Sequence, residues 1–269
     1  MSLSSAEAIS PTDASQQPGV ITPLTAQIAT APASPTPPAP EIIESLARHS
    51  ERLESASPQE IIAWAVATYF PKLTMATAFG PEGCVILHML AQIEPRVHVF
   101  NLETGYQFAE TLELRDRIQQ RYGIEVHLER PDTTVAEYEA KNGGPIYGWD
   151  PNRCCFDRKI RVLRRVAQRF DAWMSGIRRD QSPDRAKAAV VAWDHKFGLV
   201  KISPLANWTK QQVWSFITDH DIPYNPLHDQ GYTSIGCWPC TRPVTFGEDE
   251  RAGRWSGSTK TECGLHTRE

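Results

Sequence analysis

Between Leu73 and Leu128 the sequence repeats one pattern: an apolar stretch of strand length, a glycine-containing loop, then a helix-length stretch. This alternation is the strongest constraint on the fold, because strands joined through helices pair in parallel and have both sheet faces covered. Leu73 to Phe79 reads as the first strand, Gly80-Pro81-Glu82-Gly83 as its turn and Cys84 to Ile93 as an apolar helix. Arg96 to Asn101 is the second strand, followed by Glu103-Thr104-Gly105-Tyr106 and a charged helix to about Tyr122; Ile124 to Leu128 is the third. The predicted class is α/β, one domain with a mostly parallel sheet. Ligands of such sheets bind beyond the carboxyl ends of the strands, where both glycine loops fall. The loop at Gly80 to Gly83 opens a helix, whose free N–H groups suit an anion. It lacks the ending of a Walker A loop and the spacing of a dinucleotide fingerprint, so an ordinary tight turn remains the competing reading.

The flanks extend this pattern. Residues 1–40 are rich in Ala, Ser, Thr, Pro and Gln and carry few charges, a composition that predicts a disordered extension. Order is expected from Glu41, with Ile42, Ile43, Leu46 and Leu53 on one helix face, and the nucleotide-binding domain is drawn over 41–245. Ser57 with Glu60, Thr134 with Glu137 and Thr209 with Gln212 have the spacing of helix-starting capping boxes. Asp150 to Arg153 leads into Cys154-Cys155 and a strongly basic helix to about Phe170. Ala172 to Ile177 reads as a strand, and Val190 to Trp193 with Leu199 to Ile202 as a hairpin. Residues 246–269 form a tail expected to be mobile.

Composition narrows the function. A net charge of -4 argues against a nucleic-acid or acidic-membrane binder. No apolar run approaches the roughly 20 residues that span a bilayer, and the start lacks the basic and apolar regions of a signal peptide. The expected setting is cytoplasmic, where six cysteines point to metal ligands or catalysis rather than disulfides. Cys84, within an apolar helix, reads as core. Cys154, Cys155, Cys237 and Cys240 supply four thiolates, the number that zinc or a [4Fe–4S] cluster takes. Adjacent cysteines would be strained around one small ion, whereas a cubane spreads its irons, so the cluster is favoured over zinc. A redox dithiol at Cys237 and Cys240 is the third reading. Cys263 stands apart near the end, flanked by Lys260 and His266, cations that would favour a reactive thiolate. Lys159, one turn beyond Cys155, is placed to face both a metal centre and an anionic substrate. Arg178, Arg179, Arg242, Arg251 and Arg254 fall in loops, where anion binding is favoured over packing.

These residues carry a resemblance. Cys154-Cys155, the Gly236-Cys237-Trp238-Pro239-Cys240-Thr241-Arg242 segment and the tail Glu262-Cys263-Gly264-Leu265-His266 resemble the assimilatory adenylylsulfate reductases. Glu103-Thr104-Gly105-Tyr106-Gln107-Phe108 and Gly176 to Pro183 match that family too, and the likeness runs from about 57 to 266. It implies an adenine nucleotide alpha-hydrolase-like, Rossmann-like fold. It also implies reduction of adenosine 5′-phosphosulfate (APS) to sulfite and AMP, in sulfate assimilation for cysteine biosynthesis. The implied cofactor is one [4Fe–4S] cluster per subunit on Cys154, Cys155, Cys237 and Cys240. Cys263 is the implied nucleophile. The implied substrate-binding set is Gly80, Glu82, Gly83, Thr104, Gly105, Lys159, Arg178, Gln181, Arg242, Arg251, Arg254 and His266. Thioredoxin, or a glutaredoxin-like donor, is the implied partner, and a homo-oligomer stays open. A reductase of the 3′-phosphorylated nucleotide and a non-enzymatic zinc-binding module are the alternatives. Glu82 is expected to disfavour a 3′-phosphate, so that Glu82→Ser would relax the preference for APS.

Overall fold

The sheet starts where the apolar pattern first becomes continuous. Its strands are β1 (Leu73–Ala76), β2 (His98–Leu102), β3 (Val126–Glu129), β4 (Ala172–Met174), β5 (Val191–Asp194) and β6 (Leu199–Ile202). They form one sheet in the order β3-β2-β1-β4-β6-β5. Every neighbouring pair is parallel except β5 and β6, which run antiparallel with Val191 opposite Ile202. This computed structural model describes residue 35 and residues 37–266, so the extension expected over 1–40 lies almost wholly outside the described residues.

Alternation along the strands sorts side chains between two faces. Met75, Val99, Met174 and Ile202 join one core with residues of α1 (Pro40–Leu53), α2 (Pro58–Tyr69), α3 (Pro81–Ile93), α4 (Ala109–Tyr122) and α8 (Lys210–Asp219). Phe100, Trp173 and Leu199 face the other way and pack with Leu163 and Val166 of α7 (Arg161–Ala167). Full burial of Phe100 contributes about 1.5–3 kcal/mol. Cys84 lies in the first core, fully buried, with its Sγ 3.7 Å from the Phe79 carbonyl. All three capping boxes form, at the starts of α2, α5 (Val135–Asn142) and α8: in the first, the Ser57 amide donates to Glu60 Oε2 at 2.7 Å and the Glu60 amide donates to Ser57 Oγ at 3.3 Å. Among the described residues no helix is long and apolar enough to cross a membrane.

Two local departures matter for the site. β1 stops at Ala76, short of the expected Phe79, because Thr77 Oγ1 accepts the Phe79 amide at 3.0 Å and Phe79 turns to φ +56°. The following helix therefore begins at Pro81, whose fixed φ suits a first helical position, and not at Cys84. The basic helix after Asp150 is also not one α-helix. It runs as α6 (Pro151–Cys155), a π-helical stretch at Phe156–Ile160, then α7. Wide turns of this kind are common at functional sites. Here it carries Arg158 and Lys159. Arg158 is buried and donates through Nε to the Thr104 carbonyl at 2.5 Å, tying this helix to the loop after β2.

Candidate functional site

A cavity opens at the carboxyl ends of β1, β2 and β4. Its wall includes Thr77, Gly80, Glu82 and Gly83 after β1, Asn101 at the end of β2 with Thr104 and Gln107 after it, and Ser175, Gly176 and Gln181 after β4. Gly83 is small for a packing reason: a Cβ there would come 2.7 Å from Thr77 Oγ1. The cavity's cations are Lys159, Arg185, Arg251 and Arg254, and its carboxylates are Glu82 and Glu250. Ser175 Oγ, His228 Nε2 and Arg254 Nε are buried on this wall without hydrogen-bond partners. Buried polar atoms normally have partners, so these three leave donors and acceptors available to a polar ligand.

The tail closes one side. Cys263, Leu265 and His266 line the cavity. Leu265 packs with the Phe100–Trp173 core, and the His266 ring lies 6.0 Å from that of Trp173, nearly parallel. Lys201 Nζ sits 3.2 Å from His266 Nδ1. An ammonium only donates, so Nδ1 accepts and the ring proton belongs on Nε2. Burial, Lys201 and two arginines hold His266 well below its usual range, so it is neutral near pH 7. Lys260 turns away to Asn152 Oδ1, at 2.5 Å. With Lys260 bonded to Asn152 and His266 neutral, the cations that act on Cys263 include Lys159, Lys201 and Arg251. Burial opposes the charge of Lys159, but Cys237, Cys155 and Cys263 together raise its affinity for the proton.

Beside the cavity lies a smaller pocket lined by Cys154, Cys155, Cys237 and Cys240, with Tyr106, Tyr147 and Trp255. α6 supplies the first two, its start fixed by Pro151 and by Asp150 Oδ1, which accepts the Arg153 amide at 2.9 Å. The Cys237–Cys240 turn is anchored twice. The Trp238 amide donates to the Tyr106 carbonyl at 2.8 Å, and the Trp255 amide to the Cys240 carbonyl at 3.0 Å. All four cysteines are free thiols. Burial and the other three push Cys154 up to about 12, and burial with Cys237 and Cys155 pushes Cys240 up to about 11. For Cys237, Lys159 and the Thr104 hydroxyl at 3.3 Å outweigh burial and lower it. Four thiols that line one pocket and resist joint ionisation are a donor set suited to a metal group, whose positive charge removes that repulsion. Among the described residues no three His, Cys, Asp or Glu side chains converge as ligands of a single ion. Thr104, Lys159, Cys237 and Arg254 line both pockets.

A phosphoadenosine phosphosulfate reductase domain matches residues 72–243, more than half of the chain. The chain belongs to that reductase family. The reductase is 47% identical to the phosphoadenosine 5′-phosphosulfate reductase of Gloeobacter violaceus, over 83% of this chain and 93% of the relative. It is 44% identical to the adenosine 5′-phosphosulfate reductase of Salinibacter ruber, over 82% and 88%. The phosphoadenylyl-sulfate reductase structure from Candida auris, a phosphate complex, superposes with a TM-score of 0.67 at 31% identity, covering 78% of this chain and all of that one. FMN adenylyltransferase from Candida glabrata shares the fold, with a TM-score of 0.52 at 16% identity over 81% of this chain and 77% of that one.

Against this family frame, several expected binding residues stand elsewhere. Arg178 is fully buried and outside the cavity wall. Its Nε donates to Glu82 Oε1 at 2.7 Å, one Nη bonds Asp180, and the other reaches Glu250 at 3.3 Å. Three carboxylates hold it, so its charge is already matched. Arg179 is likewise taken up by Glu54, Asn207 and the Ala188 carbonyl. Arg242 forks onto Glu248 at 2.8 and 2.9 Å, away from the cavity. Gly105 serves a turn at φ +79°, where a Cβ would meet Arg158 at 3.2 Å and would also press on Val135. Arg185 was missed: it lines the cavity within a Pro-Asp-Arg stretch that gives no sequence signal beyond its loop. Glu250 was missed for the same reason. Gly236 has a role the motif alone does not reveal, since a Cβ there would overlap the Arg254 guanidinium.

Proposed function

We propose that this reductase converts adenosine 5′-phosphosulfate to sulfite and AMP in sulfate assimilation, taking electrons from a thioredoxin-class dithiol protein. One observation carries the reading: Cys263 shares a cavity with Lys159, Arg185, Arg251 and Arg254 at the nucleotide-binding end of the sheet. The Cys263 thiolate attacks the sulfate sulfur, the sulfur–oxygen bond to the phosphate breaks, and AMP leaves with the bonding pair. An S-sulfocysteine remains, so that one hard reduction is split into two displacements. A donor thiolate then attacks Cys263 Sγ and sulfite departs. The donor's second thiol resolves the mixed disulfide, returning Cys263 as a thiol and the donor as a disulfide. Lys159, Arg185, Arg251 and Arg254 would offset the charge of the phosphosulfate. For the second displacement the segment that carries Cys263 must leave the cavity, so the reaction needs this part of the tail to move.

The four-cysteine pocket suits a [4Fe–4S] cluster better than zinc, because the adjacent Cys154 and Cys155 would be strained around one small ion whereas a cubane offers them separate irons. Cys154, Cys155, Cys237 and Cys240 would hold one cluster per chain. When bound, the group supplies a centre of net charge -2 that balances the cations placed between the two pockets. The remaining work belongs to the protein's own residues.

A second reading, reduction of the 3′-phosphorylated nucleotide, is favoured by the name of the Gloeobacter violaceus relative. Electrostatics opposes it. Glu82 and Glu250 line the cavity, and with Asp180 they set three carboxylates against two cations, Arg178 and Lys210. Pairing with Arg178 softens the repulsion expected of a bare Glu82 but leaves this wall acidic. A 3′-phosphate brings about -1.5 to -2 further charges. We expect kcat/KM for APS to exceed that for the 3′-phosphorylated form about 100-fold, or ~2.7 kcal/mol. Glu82→Gln, which keeps an acceptor for Arg178, should narrow that ratio roughly tenfold by removing one charge. A wild-type ratio near one, or a preference for the phosphorylated form, would support the second reading. An unchanged ratio in the variant would place selectivity elsewhere.

A further inference from the structure

An acidic residue directly before a nucleophilic cysteine is costly unless something offsets it, because a nearby carboxylate disfavours the thiolate. Glu262 occupies that position, and its side chain is 2% exposed. It is clamped from two directions. Arg185 Nε donates to Oε1 at 2.9 Å and Arg185 Nη2 to Oε2 at 3.0 Å, a two-toothed pair across 77 residues of chain. Arg251 Nη2 lies 3.1 Å from Oε2 and also donates to the Thr261 carbonyl at 3.1 Å. Both arginines line the cavity. They lie close enough that burial and Arg185 push Arg251 down to about 10. Without the carboxylate this would be a pair of crowded, poorly hydrated cations, whereas with it each cation has a partner of good geometry. The clamp also ties the tail to two separate parts of the cavity wall, the Pro183–Arg185 turn and the segment at Arg251.

We propose that Glu262 is a positioning residue: clamped by Arg185 and Arg251, its carboxylate latches the tail so that Cys263 sits in the cavity for the sulfur-transfer displacement. The proposal rests on the reaction assigned above, in which Cys263 must be held for one displacement and released for the other. The latch therefore serves the first step and opposes the second. An ionic clamp suits that use, since its charged partners can be rehydrated when the tail leaves, together with release of the Leu265 and His266 contacts.

Glu262→Gln tests it on the full-length protein through measurements that do not share one cause. Alkylation of Cys263 by iodoacetamide without nucleotide, read by mass spectrometry, should quicken about tenfold. Single-turnover formation of the Cys263 sulfonate from APS should slow at least tenfold. Release of sulfite from preformed adduct by the donor should be as fast as wild type or faster. Arg185→Met should quicken the nucleotide-free alkylation as well, and in that measurement the double variant should be no faster than either single one, as expected for partners in one contact. Glu262→Asp, which keeps the charge on a shorter arm, should fall between. Retained AMP affinity in the Glu262 variants excludes misfolding as the cause. Equal alkylation rates in wild type and Glu262→Gln would overturn the latch, as would a loss of sulfonation with no change in alkylation. If wild type forms no sulfonate on Cys263, the assigned reaction fails, while the alkylation comparison still decides the latch.

Discussion

Cys263→Ser should bind AMP as tightly as wild type and produce no sulfite above background. The substitution removes one polarisable atom from a partly buried side chain and leaves the clamp at Glu262, the Leu265 packing and the His266–Lys201 contact in place. The binding surface therefore survives. Chemistry does not, for two separate reasons. A serine hydroxyl is largely un-ionised near neutral pH and a poor nucleophile at sulfur, and a sulfate ester on oxygen gives the donor no sulfur to exchange with. The loss in kcat should be on the order of 10⁴-fold or more. Mass spectrometry of wild type exposed to APS without donor should find a sulfonate on Cys263. Turnover by the serine variant, or an adduct on another cysteine, would sink the covalent route.

The second large effect concerns the four-cysteine pocket. Protein prepared without oxygen should contain about four iron and four sulfide per chain and absorb in the visible range, as one cubane requires. Serine at Cys154, Cys155, Cys237 or Cys240 should abolish that absorbance and lower the melting temperature, because metal binding and folding are linked. The damage should spread beyond the pocket. Lys159 and Arg254 line both pockets, so their positions in the cavity depend on what the thiols hold. AMP affinity should fall in these variants, in contrast to Cys263→Ser. Cys84→Ser is the control: its sulfur is sealed in the α3 core, and iron content should not change. A colourless wild-type protein with one zinc per chain would replace the cluster with a structural metal.

Local chemistry was legible in the sequence because its partners are near in the chain. Ser57 and Glu60, or Thr209 and Gln212, are three residues apart, and nothing distant competes for them. The sheet was legible because its period differs from that of the helices. The tail, Lys159, Arg251 and Arg254 do reach the cavity they were expected to share. The pairing of Arg178 was not legible, because the residues that capture it, Glu82 and Glu250, lie 96 and 72 positions away. A loop arginine looks free until the carboxylates are folded onto it. Arg185 was the converse case, an undistinguished arginine that faces the cavity only because the turn after β4 folds back. His266 looked like a cation beside a thiol, yet burial and a neighbouring ammonium keep it neutral. In each case the deciding contact comes from tertiary packing, which no spacing rule reports.

The π-helical stretch at Phe156–Ile160 has a consequence for register. An α-helix advances about 100° per residue, so side chains before and after any point are locked in angular phase. A wide turn breaks that lock. Cys154 and Cys155 can point toward one pocket while Ile160, Leu163 and Val166 keep to the sheet. Lys159 falls inside the slipped segment and reaches both pockets. Shortening the stretch by a single residue would restore the regular helix, swing the cysteines by about 100° relative to α7, and force a choice between the thiol pocket and the core. The chain thus stores the separation of its two sites as a phase slip in one helix.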